Sequence, residues 1–427
     1  MEQIEFSLLH CNSTYPSPVE LLNLSLIPVL QEKFNVPIGY SGHESSVLPS
    51  LTAANMGAVI IERHITLDKK MKGIDQASSL EPEEFKKLIQ NIRESEKAKG
   101  IIPEDHPLSL GIWVTDGFPG WISATETLRK SDVILAIGTE FVSGKGYWMG
   151  DNAKLIEVNA DPVRIGYEHA MEIGILGDAK LVLRQIIREC ERLRNENIES
   201  VSDYPIVKEI EQLKKRWWDK ILPKIRSNKS PINPFRVCKE IQDIFIDPYN
   251  EIGKNTVVTQ GGGNHSIISY WVNMMYEPKT WMYPTPFGTL ASGLPMAIGA
   301  RFALRDVVKQ NRHIVTIEGD GSFNMGIAEM GTAMEYKLPL TVCLFNNQTW
   351  GMEYDIQKDR GKVFGVEMSN PDYVKIADGF RWHSRKVEEA DDLKEALLSS
   401  IKANQEGRPS LLDISVDKEE PTWNFEA

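Results

Sequence analysis

The stretch that decides the fold is EGDGSFNMGIAEMGTAMEYKLPLTVCLFNNQTWGM, which runs from Glu318 to Met352. Its first residues complete an apolar run, HIVTIEGD, which is typical of a buried β-strand and ends at Asp320. The segment IAEMGTAMEYKL has the periodicity of a helix, and LTVCLFNN is a second buried strand that ends at Asn347. A strand, a helix and a strand in this order predict a right-handed crossover within a parallel sheet.

Both predicted strands end in polar residues. Because the carboxyl ends of parallel strands meet at one edge, we expect Asp320 and Asn347 to lie close together where α/β proteins bind ligands. Carboxylate and amide oxygens suit Mg²⁺ or Ca²⁺. Gly319 and Gly321 let the backbone turn tightly, and the amides after Gly321 can face a diphosphate. For Gly-Asp-Gly alone, a strand–turn–helix that needs glycine only for a sharp bend is the alternative interpretation.

This stretch is similar to the thiamine diphosphate (ThDP) motif, in which Gly-Asp-Gly is followed, after a helix, by Asn-Asn. Further segments resemble the acetolactate synthase-like branch of the ThDP enzymes, namely DHPLSLG, DAKLVL and PFGTLASGLPMAIGA (Pro286–Ala300). The resemblance covers roughly Ile101 to Asp417. It implies a Mg²⁺-dependent ThDP-binding protein in which the cofactor carries the chemistry, by adding to a carbonyl and then accepting electrons.

The resemblance also implies roles for individual residues. It assigns the metal to Asp320, the side chain of Asn347 and the backbone carbonyl of Thr349. It assigns the cofactor to Gly319, Gly321, Ser322, Leu290 and Asn346. Leu290 matches the apolar residue that keeps the cofactor bent, with a core leucine as the alternative for this residue alone. Ala291 is a departure, because the family usually has glycine there. No catalytic residue is assigned.

The first 100 residues resemble another family. LLHCNSTYPSP, VPIGYSGHE and VIIERHITLDKKMKGIDQASSLEPEEF are similar to the sialic acid synthases, which condense phosphoenolpyruvate with an N-acyl amino sugar on a TIM barrel. His10 and His43 match that family's two metal-binding histidines, which implies Mn²⁺ or a similar ion. Glu62, Arg63 and His64 also match that family, and a salt-bridged rim of the barrel is the alternative interpretation. Three strand–helix units cannot close an eight-stranded barrel, so we expect a partial one.

These patterns predict an α/β chain of partial TIM-barrel-like βα units followed by doubly wound parallel-sheet domains. We expect a barrel fragment at 1–100, a partial ThDP middle domain at 101–194, a linker at 195–233 and the ThDP diphosphate-binding domain with a polar tail at 234–427. We find no match to the pyrimidine-binding domain, whose glutamate activates ThDP in the family. We therefore expect this domain to come from another chain, in a homo- or hetero-oligomer.

Three hypotheses on function follow. The first is carboligation or decarboxylation of a 2-oxo acid or related small molecule with ThDP and Mg²⁺. The second is a sialic acid synthase-like condensation. The third is a non-catalytic hybrid chain or an artefact of fusion, so the sequence leaves open whether the chain is an enzyme. The sequence indicates that Trp350 and Met352 could line a substrate pocket, and packing in the core is the alternative interpretation.

Composition excludes some classes of protein. The net charge of −12 argues against a general nucleic-acid binder, and no apolar run is long enough for a membrane span. The four cysteines have no metal-type spacing and are typical of reduced thiols, so we expect a cytoplasmic protein.

Overall fold

The computed structural model describes residues 6–34, 36–73, 75–89, 102–112, 120–139, 149–150, 152–167, 169–193, 205–284 and 288–422. The chain divides into two compact units, Met1–Ile101 and Ile102–Ala427, called here the N-terminal and C-terminal units. None of the helices in these described ranges is both long and apolar enough to cross a membrane.

The N-terminal unit alternates strands with helices. Its parallel sheet has the order β1-β2-β3, with strands Leu8–Cys11, Ile38–Gly42 and Ile60–Arg63. The helices are α1 (Leu26–Phe34), α2 (Leu48–Asn55) and α3 (residues 82–89). The segment PVELLNLSLIPVLQEKF, residues 18–34, has the pattern of a single amphipathic helix, but the chain forms a short 3₁₀ turn at Val19–Leu21 before α1. Apolar residues of α1 and α2 pack with β2 to form the core of this unit.

A buried ion pair ties β3 to the segment that follows β2. The Arg63 guanidinium donates to Glu44 Oε1 at 2.9 Å, and the two side chains are 0% and 1% exposed. Glu44 also accepts hydrogen bonds from the hydroxyls of Tyr40 (2.8 Å) and Ser50 (2.9 Å). Burial lowers the pKa of Arg63, and the Glu44 carboxylate opposes that shift. Each charge is therefore paired and hydrogen-bonded, as a buried charge requires, although Arg63 Nε has no partner among the described residues.

The C-terminal unit begins with a three-stranded parallel sheet, β4-β5-β6, formed by Val133–Ile137, Lys154–Asn159 and Ile173–Leu176. Helices α4 (Ile122–Lys130) and α5 (Ala179–Leu193) accompany these strands. Helix α6 (Pro205–Ile225) falls where the sequence predicted a linker helix. It buries Leu213, Trp217 and Ile221 in the core of the unit, and Trp217 stacks near Trp121 at 6.3 Å between ring centroids.

A larger parallel sheet follows. Among the described residues it has the order β11-β12-β10-β9-β7-β8. Its strands in chain order are β7 (Thr256–Gln260), β8 (Trp281–Met282), β9 (His313–Gly319), β10 (Thr341–Asn346), β11 (His383–Val387) and β12 (Ser410–Ser415). The helices are α7 (Pro234–Ile241), α8 (Asn264–Val272), α9 (Gly293–Phe302), α10 (Asp320–Gly326), α11 (Glu329–Glu335), α12 (Gly351–Asp359), α13 (Tyr373–Gly379) and α14 (Leu393–Gln405).

Side-chain alternation in the strands places helices on both faces of this sheet. In β10, Val342 and Leu344 belong to the apolar cluster that includes α9, α11 and α13. Cys343 and Phe345 belong to the opposite cluster, which includes α7, α8 and α14. A strand that is buried on both faces is typical of a doubly wound parallel sheet. The predicted fold class is confirmed.

The start of the helix after β9 was predicted wrongly. The sequence indicated a loop at Gly-Asp-Gly and a single helix over IAEMGTAMEYKL, whereas the strand ends at Gly319 and α10 begins at Asp320 itself. A second helix, α11, then returns the chain. The segment of α10 is polar and rich in glycine, so it has no apolar periodicity that would predict a helix. Its stability comes from packing of Phe323 and from hydrogen bonds at its first residues.

The ion pair of the N-terminal unit gives a test of its stability. We expect Arg63→Met to lower the free energy of unfolding of this unit by about 3–5 kcal/mol, because Glu44 is left buried without its cation. Hydrogen exchange over residues 36–66 measures the loss. All ten tryptophans lie in the C-terminal unit, so their fluorescence follows that unit separately. Lys69→Met is the control, because the partly exposed Lys69–Glu84 pair contributes at most about 1 kcal/mol. Equal protection in Arg63→Met and the native chain would contradict the expectation.

Candidate functional site

The carboxyl ends of β7, β9 and β10 form one edge of the larger sheet. The register pairs Phe345 with Gly319, so the residues after both strands emerge side by side. A pocket of about 200 Å³ opens at this edge. It is lined by Gly262, Gly263, Asn264, His265, Gly288, Leu290, Gly319, Asp320, Gly321, Ser322, Thr349, Trp350, Gly351, Met352 and Glu353. The sequence left open whether Trp350 and Met352 line a pocket or pack in the core. Both residues line this pocket.

Asp320 is the buried carboxylate of the pocket. Its Oδ1 accepts the N–H of Gly321 at 2.9 Å. Its Oδ2 accepts the N–H of Gln348 at 2.6 Å and the amide of Asn370 at 2.7 Å. Burial raises the pKa of Asp320 to about 6, although these hydrogen bonds act to lower it. Since each carboxylate oxygen offers about two acceptor positions, Oδ1 keeps one free for a cation.

The two asparagines after β10 have different surroundings. Asn346 points back into the protein, where its amide donates to Asp413 (2.8 Å) and its oxygen accepts from Asn370 (2.8 Å). The Asn347 oxygen accepts the N–H and the hydroxyl of Thr349, at 2.9 and 3.0 Å. This turn brings the 347–349 backbone beside the Asp320 carboxylate. The structure thus places Asp320 and the turn after β10 together, while Asn346 acts as a brace behind them.

Glycines are required around Asp320 by close packing. A Cβ on Gly321 would lie 2.8 Å from the ring of Trp350, and one on Gly319 would lie 2.7 Å from His265 Nδ1. A Cβ on Gly351 would lie 2.2 Å from the Asn264 amide. The backbone around the pocket therefore excludes side chains and leaves amide groups close to the pocket.

Ser322 uses its hydroxyl inside the protein. It donates to Glu318 Oε2 at 3.0 Å and accepts the N–H of Ala291 at 2.8 Å. A hydroxyl has one proton to donate, so that proton is already engaged. For a ligand in the pocket, Ser322 therefore offers its backbone amide as the donor.

His265 was missed by the sequence analysis. It is buried in the first turn of α8, and its Nε2 has no hydrogen-bond partner among the described residues. Burial lowers the pKa of His265 to about 4, against a hydrogen bond to the Gly261 backbone. The signal was present in TQGGGNH, a glycine-rich turn between a strand and a helix, which is typical of anion sites. Asn370, the other missed residue, lies in a loop that carries no such pattern.

Comparisons with known proteins agree with this geometry. Residues 261–414 match the family model of the thiamine pyrophosphate enzyme C-terminal TPP-binding domain, and residues 86–186 match that of the central domain. Residues 1–103 match the NeuB family. A probable acetolactate synthase large subunit of Methanococcus aeolicus is 31% identical over 75% of this chain and 52% of its own length. The acetolactate synthase large subunit of Buchnera aphidicola subsp. Schizaphis graminum is 29% identical over 76% of this chain and 54% of its own.

A solved structure shows the same fold. The thiamine diphosphate-dependent 4-hydroxybenzoylformate decarboxylase of Rhodococcus jostii RHA1 superposes with a TM-score of 0.56 and 20% identity, over 75% of this chain and 55% of that chain. The chain spans about half the length of the curated relatives it matches.

This chain carries the central and C-terminal domains of a thiamine pyrophosphate enzyme. They follow a NeuB-family segment. The resemblances to ThDP enzymes and to the sialic acid synthases are both confirmed. The curated relatives named above belong to the acetolactate synthase-like branch.

The NeuB-family segment holds the two histidines predicted as metal ligands. His10 Nε2 lies 2.7 Å from the Leu22 carbonyl. His43 is buried, with Nδ1 at 2.8 Å from the Asn12 carbonyl and Nε2 at 3.0 Å from the Tyr15 hydroxyl. In the described ranges, no three His, Cys, Asp or Glu side chains are grouped as a metal site requires. The metal role of both histidines stays a prediction.

The turn before α9 in the thiamine pyrophosphate enzyme part is strained at Ala291. Its φ of 58° lies in the left-handed region, which glycine adopts more readily than alanine. Leu290, one residue earlier, is half-buried and lines the pocket. The exchange of glycine for alanine therefore has a conformational cost that size alone does not reveal.

We expect Ala291→Gly to raise the free energy of unfolding of the C-terminal unit by about 0.5–1 kcal/mol. The relief of about 1–2 kcal/mol of left-handed strain exceeds the entropy of about 0.4–1 kcal/mol that glycine adds to the unfolded chain. Urea denaturation followed by tryptophan fluorescence measures it. The control is Ala300→Gly, a half-buried alanine within α9, which we expect to lower stability by about 0.5–1 kcal/mol. Destabilisation by both changes would contradict the strain argument.

Proposed function

We propose that this chain is a Mg²⁺-dependent ThDP-binding protein of the acetolactate synthase-like class. It acts in carboligation or decarboxylation of a 2-oxo acid or related small molecule. The observation that carries the proposal is the pocket in which Asp320, the 347–349 turn and the first turn of α10 converge. That pocket lies within the segment that matches the TPP-binding domain.

The residues fit the diphosphate and its cation. His265 Nε2 is a buried acceptor without a partner among the described residues, and the first turn of α10 presents the backbone amide of Ser322 to a ligand. In this proposal Asp320 Oδ1, the Asn347 side chain and the Thr349 carbonyl hold Mg²⁺, and Asn347 exchanges its hydrogen bond from the Thr349 hydroxyl for the ion. The amide of Ser322 holds the diphosphate, joined by the amide of Gly321 once that amide releases Asp320 Oδ1.

The rest of the pocket orients the cofactor and borders the substrate. Leu290 supports the rings of ThDP, and Asn346 braces the Asp320 carboxylate through Asn370. Trp350 and Met352 border the substrate. When bound, ThDP supplies a carbon nucleophile and electron sink for carbonyl chemistry. We propose that a pyrimidine-binding domain from another chain completes the site, so the active form is an oligomer.

A second candidate function rests on the N-terminal unit. Its match to the NeuB family favours a sialic acid synthase-like condensation of phosphoenolpyruvate with an N-acyl amino sugar. We rank it below ThDP binding because both ring nitrogens of His43 already contact protein groups, whereas Asp320 Oδ1 in the ThDP pocket keeps an acceptor position. Mn²⁺-dependent binding of phosphoenolpyruvate to the whole chain, lost in His43→Ala, would support it.

Calorimetric titration of the whole chain with ThDP, with and without Mg²⁺, tests the first candidate. We expect saturable binding that needs Mg²⁺. We expect Asp320→Ala to weaken it by about 100-fold or more, because the site loses its charged metal ligand. Asp391→Ala is the matched control, since it removes an exposed carboxylate from a 3₁₀ turn of the same unit. Native-like affinity in Asp320→Ala would refute the metal assignment, and a folded native chain that binds no ThDP would refute the proposed function.

A further inference from the structure

We propose that Glu318 is a positioning residue, whose carboxylate holds the 289–293 turn in place so that Leu290 stays in the cofactor pocket. The inference rests on the proposed function for the identity of the ligand. Its structural part, the bracing of the turn, concerns the protein alone and is tested separately.

Glu318 lies near the end of β9 and is 1% exposed. Its Oε1 accepts the N–H of Gly293 at 3.0 Å, and its Oε2 accepts the Ser322 hydroxyl at 3.0 Å. A further backbone hydrogen bond comes from Leu294. The carboxylate therefore joins the start of α9 to the first turn of α10.

Ser322 extends this connection to the strained residue. Its hydroxyl oxygen accepts the Ala291 N–H at 2.8 Å while its proton goes to Glu318. Ala291 has the left-handed φ of 58°, a conformation that persists only when its surroundings fix it. Two consecutive hydrogen bonds thus run from Glu318 to the backbone next to Leu290.

Other hydrogen bonds also hold the turn, and one of them crosses it from the Ser292 hydroxyl to the Thr289 carbonyl at 2.6 Å. The Thr289 carbonyl accepts the Gly262 N–H at 3.3 Å, and the Gly293 carbonyl accepts the Thr259 hydroxyl at 3.0 Å. Between these ends, the bond from Ala291 to Ser322 ties the backbone to the rest of the site. Loss of the Glu318–Ser322 link would therefore free the segment that carries Leu290.

The space around Glu318 is shaped for a carboxylate. A Cβ on Gly261 would lie 1.9 Å from Glu318 Oε2, and one on Gly293 would lie 2.8 Å from the carboxyl carbon. Two glycines from different elements thus make room for this group. Within the described ranges Glu318 forms no ion pair, and it lies at the amino end of α9, where the helix dipole favours a negative group.

Burial of this carboxylate is costly, which points to its hydrogen bonds as its role. Burial raises the pKa of Glu318 to about 7, against the lowering effect of its bonds to Ser322, Gly293 and Leu294. Leucine has a similar volume, and its burial would cost less free energy than burial of a carboxylate. Leucine accepts no hydrogen bond, however, and would leave the Gly293 N–H and the Ser322 hydroxyl without this acceptor.

The experiment compares two ligands and two substitutions of Glu318. Calorimetry measures the affinity for ThDP and for inorganic pyrophosphate, both with Mg²⁺, because pyrophosphate lacks the rings that Leu290 supports. We expect Glu318→Leu to weaken ThDP binding at least about tenfold while pyrophosphate affinity changes less than about threefold. We expect Glu318→Gln to stay within about threefold of native for both, because its amide still accepts from Gly293 and donates to the Ser322 oxygen.

The control is Thr316→Val. Thr316 lies in the same strand, is fully buried, and its hydroxyl has no hydrogen-bond partner in the described part of the chain. We expect it to bind both ligands like the native chain. Equal losses of ThDP and pyrophosphate in Glu318→Leu, native-like ThDP binding in that variant, or equal damage from the glutamine and leucine variants would each overturn the proposal.

Amide hydrogen exchange in the ligand-free chain separates this inference from the proposed function. We expect Glu318→Leu to expose the amides of Ala291 and Gly293 while β10 stays protected. If the native chain binds no ThDP, the proposed function fails, and the exchange result still decides whether Glu318 braces the turn. If Glu318→Leu does not fold, Ser322→Ala tests the same link, with protection lost at Ala291 and kept at Gly293. Unchanged protection at Ala291 in Ser322→Ala would overturn it.

Discussion

The parallel pairing of β9 with β10 is the constraint on which the site depends. Its register sets Phe345 opposite Gly319, and the residues that follow the two strands therefore leave the sheet at the same level. Asp320 and the turn after Asn346 meet for this reason and not through any contact that either makes alone. A shift by one residue would turn Asp320 toward the opposite face, since side chains alternate along a strand. The apolar residues of β10 that face both layers of helices fix the register, so the hydrophobic core determines where the polar site forms.

Polar groups that are buried at a sheet edge need hydrogen-bond partners. In this chain, residues behind the pocket supply many of them. Asn370 donates to both Asp320 and Asn346, and Asp413 accepts a hydrogen bond from the Asn346 amide. Glu318 performs the same task toward α9. The groups that remain available to a ligand include the Ser322 amide in the first turn of α10 and one acceptor position on Asp320 Oδ1. A polar network that is closed behind the site and open toward the pocket is the arrangement expected of a preorganised anion and cation site.

The sequence predicted the parts of this site that are local. Strand ends, Gly-Asp-Gly and Asn-Asn are readable because strand periodicity and chain connectivity alone place them at one edge. Asn370 and Glu318 were not predictable, because their roles depend on which groups lie opposite them after folding. Ala291 is intermediate: the sequence showed an alanine where glycine is usual, but only the backbone angle shows that the change has a conformational cost. The start of α10 at Asp320 was missed because a short, glycine-rich helix has no apolar periodicity of its own.

The two units stabilise their buried carboxylates differently, one with an ion pair and the other with hydrogen bonds alone, and this difference bears on function. In the N-terminal unit Arg63 neutralises Glu44, and hydroxyls and carbonyls supply most of the pair's other hydrogen bonds. Among the described residues only Arg63 Nε of this pair has no hydrogen-bond partner. In the C-terminal unit Asp320 and Glu318 are held by N–H and O–H donors, and the structure shows no ion pair to either among the described residues. A buried carboxylate that has hydrogen bonds but no cation still gains from a metal ion, and this supports the proposal that the cofactor binds in the C-terminal unit.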